Sequence, residues 1–153
     1  MDLATLEGKP AFAVTRHYPV APGKVWRAWT DAQALKRWWG PFPGDPVSVV
    51  DLDVRVGGRF RIVFGGPRGD ENECAGEYRV VEPERRLVFS WHWPRSTPER
   101  VSQVTLLFHA VPGGTDLEFR HEGFFDEAAR DGHKRGWGVS LERLATFLGT
   151  SKG

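Results

Sequence analysis

The residue with the clearest chemical potential is His121, at the end of a segment in which polar and apolar side chains alternate. The alternation places His121 on the same side of a strand as Leu117 and Phe119, so we expect its imidazole to face the interior. An imidazole titrates near neutral pH, so it could hold a carboxyl or carbonyl group of a ligand or act as a general base. The structural alternative is a histidine bonded only to a neighbouring backbone or hydroxyl group. We favour the ligand-facing role.

A second polar group and several large apolar side chains are predicted to share this interior. Tyr78 lies on the inward side of another alternating segment, and its buried hydroxyl would need a partner. Trp91 and Trp93 share one side of a third segment, where they could stack against a ligand or fill the core beneath a helix. The predicted ligand-binding residues are His121, Tyr78, Trp91, Trp93, Phe108, Phe119, Trp137 and Leu141.

Several other kinds of chemistry lack the residues that they need. The five histidines are scattered, without HxH or HExxH spacing, so we expect no metal site. Cys74 is the only cysteine, which excludes an internal disulfide, and no base is placed to activate its thiol. A GxSxG motif is missing as well. We therefore expect no catalytic residue of these kinds and no cofactor.

Composition restricts the partners and the location of the protein. The net charge of the 153 residues is +1 and no basic stripe stands out, which argues against nucleic-acid binding. No uncharged apolar stretch approaches the roughly 20 residues of a membrane span. The N-terminus lacks a basic start followed by an apolar run, so no signal peptide is predicted. We expect a cytoplasmic protein with a single domain over residues 1–153.

The order of predicted elements describes a cup that would position these side chains. A strand over residues 12–20 precedes two short helices, the first beginning at Pro22 and the second capped by Asp31. Six strands then follow in a row, joined by short turns, and the chain ends in a long amphipathic helix. The predicted fold class is α+β, with a curved antiparallel sheet of six to seven strands gripping the C-terminal helix. The six later strands are predicted over residues 47–54, 59–64, 74–82, 87–93, 101–108 and 115–121.

Three glycines interrupt the C-terminal helix, at Gly132, Gly136 and Gly138. Each costs about 1 kcal/mol relative to alanine in a helix interior, so each requires a reason. Gly136 could let the helix approach the sheet closely, or the helix could begin after Gly132. A third explanation is a kink that opens an entrance to the cup.

Five motifs occur in this order along the chain: Val25-Trp26-Arg27-Ala28-Trp29-Thr30, Trp38-Trp39-Gly40-Pro41, Gly76-Glu77-Tyr78, His121 and Gly136-Trp137. With these motifs the chain resembles the START-like superfamily, also called SRPBCC or helix-grip proteins. Within it, the chain is most similar to bacterial relatives of the activator of the heat-shock-protein-90 ATPase. The resemblance extends over about residues 14–148 and implies a helix-grip fold. It also implies a choice of functions, because this fold serves lipid carriers, polyketide cyclases, hormone receptors and co-chaperone domains.

We expect the protein to bind a hydrophobic or amphipathic small molecule between the sheet and the C-terminal helix. An enclosed cavity of several hundred Å³ would suit that function. The alternatives are a cyclase- or hydrolase-type enzyme that uses His121 with help from Tyr78, and a chaperone-associated stress-response protein. The third hypothesis needs an exposed apolar patch, for which Trp38, Trp39 and Phe42 are the candidates. Ligand identity and oligomeric state are left open.

Overall fold

The computed structural model describes residues 8–40, 46–65 and 71–150, with the side chain of residue 150 left aside. These residues form seven strands and three helices, in the order expected from the sequence. The elements are β1 (Ala11–Tyr18), α1 (Pro22–Thr30), α2 (Ala32–Trp38), β2 (Val47–Leu52), β3 (Arg59–Phe64), β4 (Asn72–Glu82), β5 (Arg86–Trp93), β6 (Thr97–Val111), β7 (Gly114–Glu122) and α3 (Glu127–Thr150).

The seven strands form one antiparallel sheet in the order β1-β7-β6-β5-β4-β3-β2. Strands β2 to β7 are a meander, in which each strand pairs with the next one along the chain, and β1 pairs with β7 at the far edge. The register aligns buried residues across strands: His121 of β7 lies opposite Phe12 of β1 and Val104 of β6. The predicted α+β class, with a curved sheet and two short helices after the first strand, is confirmed.

The two short helices begin where the predicted start signals lie. Pro22 occupies the first turn of α1, where its missing N–H removes no helical hydrogen bond. The Asp31 carboxylate accepts a hydrogen bond from the backbone N–H of Gln33 and so caps α2. The indole N–H of Trp38 donates to the carbonyl of Ala28 at 3.0 Å, which ties α2 back to α1.

Helix α3 lies against the concave face of the sheet through one apolar stripe. Its Trp137, Leu141, Leu144 and Leu148 are all buried. The ring of Trp137 packs on Phe119 of β7, with 4.7 Å between ring centres. The C-terminal helix is amphipathic as predicted, and its apolar side covers one face of the sheet.

Several strand boundaries differ from the prediction by one or two residues, and those of β6 differ by more. Strand β6 begins at Thr97 instead of residue 101, because Thr97 pairs with Trp93 directly after the turn. Helix α3 begins at Glu127, where the Asp126 carboxylate accepts the backbone N–H of Ala129. Gly132 therefore lies inside the helix, so the explanation that the helix starts after it is wrong.

No helix in residues 8–40, 46–65 and 71–150 is both long enough and apolar enough to cross a membrane.

Candidate functional site

An open cavity of about 650 Å³ lies between the first half of α3, the ends of β3 and β5, and the segment after α2. Its volume falls in the range of small-molecule sites, roughly 300–1,000 Å³. Exposed residues of α3 form its rim, among them Ala128, Arg135 and Val139. The sequence predicted an enclosed cavity, but this one opens to solvent along the helix.

Five aromatic side chains form the inner wall of the cavity: Trp39, Phe64, Trp91, Trp93 and Trp137. The indoles are in mutual contact. The ring of Trp91 lies 5.2 Å from Trp137, 5.5 Å from Trp93 and 5.8 Å from Trp39, measured between ring centres. Such a wall offers flat apolar surfaces at several orientations, which suits stacking against a ring-bearing ligand.

The opposite side of the cavity is built from small residues on one face of α3. Ala128, Gly132, Gly136 and Ser140 follow one another at intervals of four, so they share that face. A Cβ added at Gly132 would have only the guanidinium of Arg135 near it, at 3.9 Å. Gly132 is therefore not needed for close packing. Its missing side chain leaves space in the cavity.

His133 lies in the wall and is fixed in a neutral form by two hydrogen bonds. The indole N–H of Trp93 donates to its Nε2 at 3.0 Å, which requires Nε2 to be unprotonated. Its Nδ1 then carries the proton and donates to the carbonyl of Ala129 at 2.7 Å. Burial lowers the pKa of His133, although the bond to Ala129 opposes that shift. Both ring nitrogens are therefore engaged inside the protein.

His121 lies behind the wall, fully buried, where it also has both nitrogens bonded. The indole N–H of Trp137 donates to Nδ1 at 3.1 Å, so Nε2 carries the proton and donates to the Ser102 hydroxyl at 2.8 Å. That hydroxyl donates in turn to the carbonyl of Trp91 at 3.3 Å. Burial holds the pKa of His121 well below its ordinary value, and repulsion from His133 when that ring is protonated adds a smaller shift in the same direction.

This network connects two tryptophans of the wall to the sheet and leaves His121 no free nitrogen for a ligand. The inward orientation expected for His121 agrees with the structure. The contact predicted between His121 and a ligand disagrees with the structure. Indole rings lie between the imidazole and the cavity, and His121 does not line the cavity. The arrangement corresponds to the structural alternative for His121.

The remaining predicted site residues divide into two groups. Trp91, Trp93 and Trp137 line the cavity, whereas Tyr78, Phe108, Phe119 and Leu141 lie in the core away from it. Phe108 packs against Trp26 and Phe119 against Trp137. The main-chain carbonyl of Leu141 accepts a hydrogen bond from the buried hydroxyl of Tyr18.

The interior around Tyr78 is filled by other side chains. Its ring packs against Phe60 and Phe89, and the void beside them is only about 10 Å³, too small for any ligand. Burial raises the pKa of the Tyr78 phenol above its usual range, with a smaller effect from Asp53, so the phenol stays protonated. The expected empty space therefore lies at the start of α3 rather than in the depth of the cup.

Trp39 and Phe64 line the cavity although they were not predicted to, because they reach the wall from elements far from α3 along the chain. His133 is a further wall residue outside the predicted set. One signal could have pointed to the site: the spacing of Ala128, Gly132, Gly136 and Ser140 leaves one helix face without large side chains.

The polar groups that face this cavity are few. Arg135 is exposed and forms no ion pair with another described residue. Ser140 is only 4% exposed, and its hydroxyl makes no hydrogen bond to another described residue. No cluster of three or more His, Cys, Asp or Glu side chains within residues 8–40, 46–65 and 71–150 is arranged to hold a metal ion.

Two cavity indoles are held by packing alone. The N–H groups of Trp39 and Trp91 are sealed from solvent and have no hydrogen-bond partner in the part of the chain that the structure describes, in contrast to those of Trp93 and Trp137. The backbone of Trp39 is fixed separately, because the Arg143 guanidinium donates to its carbonyl at 2.6 Å and to that of Gly40 at 3.1 Å. Arg143 thus anchors the segment that carries one side of the wall to α3.

A family model described as Activator of Hsp90 ATPase homolog 1-like protein matches residues 19–149. The chain belongs to this family. The predicted membership of the START-like superfamily is therefore confirmed, and it rests on most of the chain rather than on one motif.

Solved structures of bacterial proteins share the fold of this Activator of Hsp90 ATPase homolog 1-like chain. An AHSA1 protein from Silicibacter pomeroyi is 27% identical, with a TM-score of 0.82 over 92% of this chain and 99% of that one. A protein from Chromobacterium violaceum is 26% identical, with a TM-score of 0.81 over 90% of this chain and 96% of that one. A protein from Rhizobium loti is 28% identical, with a TM-score of 0.76 over 90% and 96%. No curated protein matches the chain.

The family description raises the question of a chaperone-docking surface, for which three residues were predicted. Trp38 is fully buried and Trp39 is 4% exposed, and both belong to the core. They are buried because α2 packs its apolar side inward and Trp39 forms part of the cavity wall. The exposed patch predicted at these two residues is wrong, and Phe42 lies outside the described residues.

Proposed function

We propose that this protein binds an apolar small molecule in the open cavity, with a ring system of the ligand stacked among the cavity tryptophans. The observation that carries the proposal is the contrast between the two sides of the cavity. One side is an aromatic wall, and the other is a helix face whose residues are too small to cover it.

The energetics of this contrast support a binding role. Large apolar side chains on α3 would fill the space and gain about 25 cal/mol for each Å² of apolar surface removed from water. A glycine inside a helix costs about 1 kcal/mol relative to alanine. Gly132 gives up both contributions at the cavity, whereas the neighbouring interior around Tyr78 is packed to a void of about 10 Å³. A ligand that fills the cavity would recover the lost contacts.

Binding is better supported than acid–base catalysis. An enzyme of the predicted type needs a histidine with a free nitrogen in reach of the substrate. Both nitrogens of His121 and both of His133 are bonded within the protein. Tyr78, the expected assistant, packs in a different part of the core. The two histidines support the shape of the wall rather than a reaction.

The test is a fluorescence titration with N-phenyl-1-naphthylamine, a neutral probe with two ring systems, on the purified full chain. Gly132→Leu would place a large side chain in the cavity at a position with room for its Cβ. Gly138→Leu is the matched control, because it adds the same side chain to the same helix, has no atom within 4 Å of its Cβ, and does not line the cavity.

We expect saturable binding to the unmodified protein, with the affinity reduced roughly tenfold or more by Gly132→Leu and within about twofold for Gly138→Leu. A tenfold loss corresponds to about 1.4 kcal/mol, which the apolar contacts displaced by one leucine can account for. Equal affinities for the three proteins, or no binding to any of them, would contradict the proposal.

A further inference from the structure

The charge of the cavity is set by one residue. Among the described residues that line it, Arg135 is the only one with a formal charge, and no carboxylate accompanies it. Asp131, the nearest acidic residue on the N-terminal side, is paired with Arg130 at 2.9 Å. The Arg135 guanidinium is therefore available at the rim of an apolar cavity. A cation in such a position attracts anions more strongly than one on a flat, fully hydrated surface.

A second polar group of the cavity lies on the face of α3 that carries the small residues. Ser140 is 4% exposed, lines the cavity and makes no hydrogen bond to another described residue. A serine in a helix often bonds the carbonyl four residues earlier, as Thr30 does with Trp26. Ser140 forms no such bond. The Ser140 hydroxyl is not sealed from solvent, so water or a polar atom of a ligand can bond to it from the open cavity.

His133 has no free nitrogen with which to bind a ligand in place of Arg135 or Ser140. His133 is neutral, and its two nitrogens are occupied by Trp93 and by the carbonyl of Ala129. The free polar groups of the cavity are thus a cation at the rim and one hydroxyl on the wall. A guanidinium binds planar acidic groups through paired N–H donors and also stacks on rings, so it suits a carboxylate attached to an aromatic body.

We propose that the cavity selects an amphipathic anion, with its apolar rings among the tryptophans, its acidic group at Arg135 and a polar atom in reach of Ser140. This inference rests on the proposed binding function and adds the chemical class of the ligand. Arg135 is the residue that determines the preference for an acidic ligand over a neutral one of the same shape.

Two fluorescent probes with the same ring skeleton test this preference. N-phenyl-1-naphthylamine is neutral, and 8-anilino-1-naphthalenesulfonate carries a sulfonate on the same rings. Both are titrated into the full chain, into Arg135→Gln and into the matched control Lys134→Gln. Lys134 is an exposed cation next to Arg135 that does not line the cavity, so its replacement changes the net charge equally. Thermal unfolding of each variant checks that the fold is retained.

We expect the sulfonate probe to bind more tightly than the neutral one, and Arg135→Gln to weaken it by about three- to tenfold. The neutral probe should be affected less than about twofold, and Lys134→Gln should leave both affinities nearly unchanged. The preference for the anion should also decrease in high salt, because Arg135 is exposed. Ser140→Ala should weaken the sulfonate probe without changing its salt dependence.

Two results would overturn the inference and leave the binding function intact. In the first, the neutral probe binds as tightly as the anionic one and Arg135→Gln changes neither. In the second, Lys134→Gln weakens the anion as much as Arg135→Gln, which would assign the effect to general surface charge. Failure of both probes to bind would remove the proposed function together with the inference.

Discussion

Replacing Gly132 by alanine should make the protein more stable. Gly132 is exposed in the interior of α3. Apart from the adjacent residues and the backbone of the same helix, the only atom of the described residues within 4 Å of an added Cβ is the end of the flexible Arg135 side chain, at 3.9 Å. No clash opposes the gain in helix propensity, which is about 1 kcal/mol. For a domain of this size, that gain corresponds to an increase in Tm of about 2–4 °C.

Urea denaturation followed by circular dichroism measures this change directly. The midpoint should rise without a change in the slope of free energy against urea concentration, because the surface exposed on unfolding stays almost the same. Gly138→Ala is the control: its Cβ meets nothing within 4 Å, so the gain should be similar although Gly138 does not line the cavity. A loss of stability in Gly132→Ala alone would refute the reasoning, since it would mean that Gly132 is required by the fold and not by the cavity.

Three further predictions concern the network behind the wall and its anchor. Ser102→Ala leaves the N–H of His121 buried without a partner, so urea denaturation should show a loss of about 1–3 kcal/mol, and a loss below about 0.5 kcal/mol would contradict the network. His121 and His133 both have pKa values below the ordinary 6.5, so the unfolded chain binds more protons than the folded one. The urea midpoint should therefore fall as pH decreases from about 7 to about 5.5, and a flat midpoint would argue against neutral histidines. Arg143→Ala leaves the carbonyl of Trp39 without its donor, so stability should drop by about 1–3 kcal/mol and the naphthylamine probe should bind less tightly; unchanged probe binding would show that this anchor does not shape the wall.

The fold could be predicted from the sequence because its strands alternate clearly and its helices have local start signals. Strand β3 begins and ends at the predicted residues, and Asp31 caps α2 as expected. The start of α3 could not be predicted, because Gly132 is a weak helix former and its place inside the helix depends on tertiary packing.

The site could be predicted only in part. Alternation along a strand predicts which face of the sheet a side chain occupies, as it does for Trp91 of β5. It does not predict whether that side chain borders a cavity or is covered by other side chains. For that reason His121 has the predicted orientation and is nevertheless covered by indoles. Trp39 and Phe64 come from separate elements, and only the assembled sheet brings them to α3. Cytoplasmic location and a chaperone partner stay predictions.

The indole N–H resonances in a ¹⁵N NMR titration give the most direct measurement of where a ligand binds. The chain has seven tryptophans, so each resonance can be assigned from a single Trp→Phe variant. On addition of the sulfonate probe, the resonances of Trp39, Trp91, Trp93 and Trp137 should shift and saturate together. Those of Trp26, which packs against Phe108, and of Trp38, which is bonded to the carbonyl of Ala28, should stay in place. Shifts confined to Trp26 or Trp38, or no shift in any indole, would contradict a ligand cavity between α3 and the tryptophan wall.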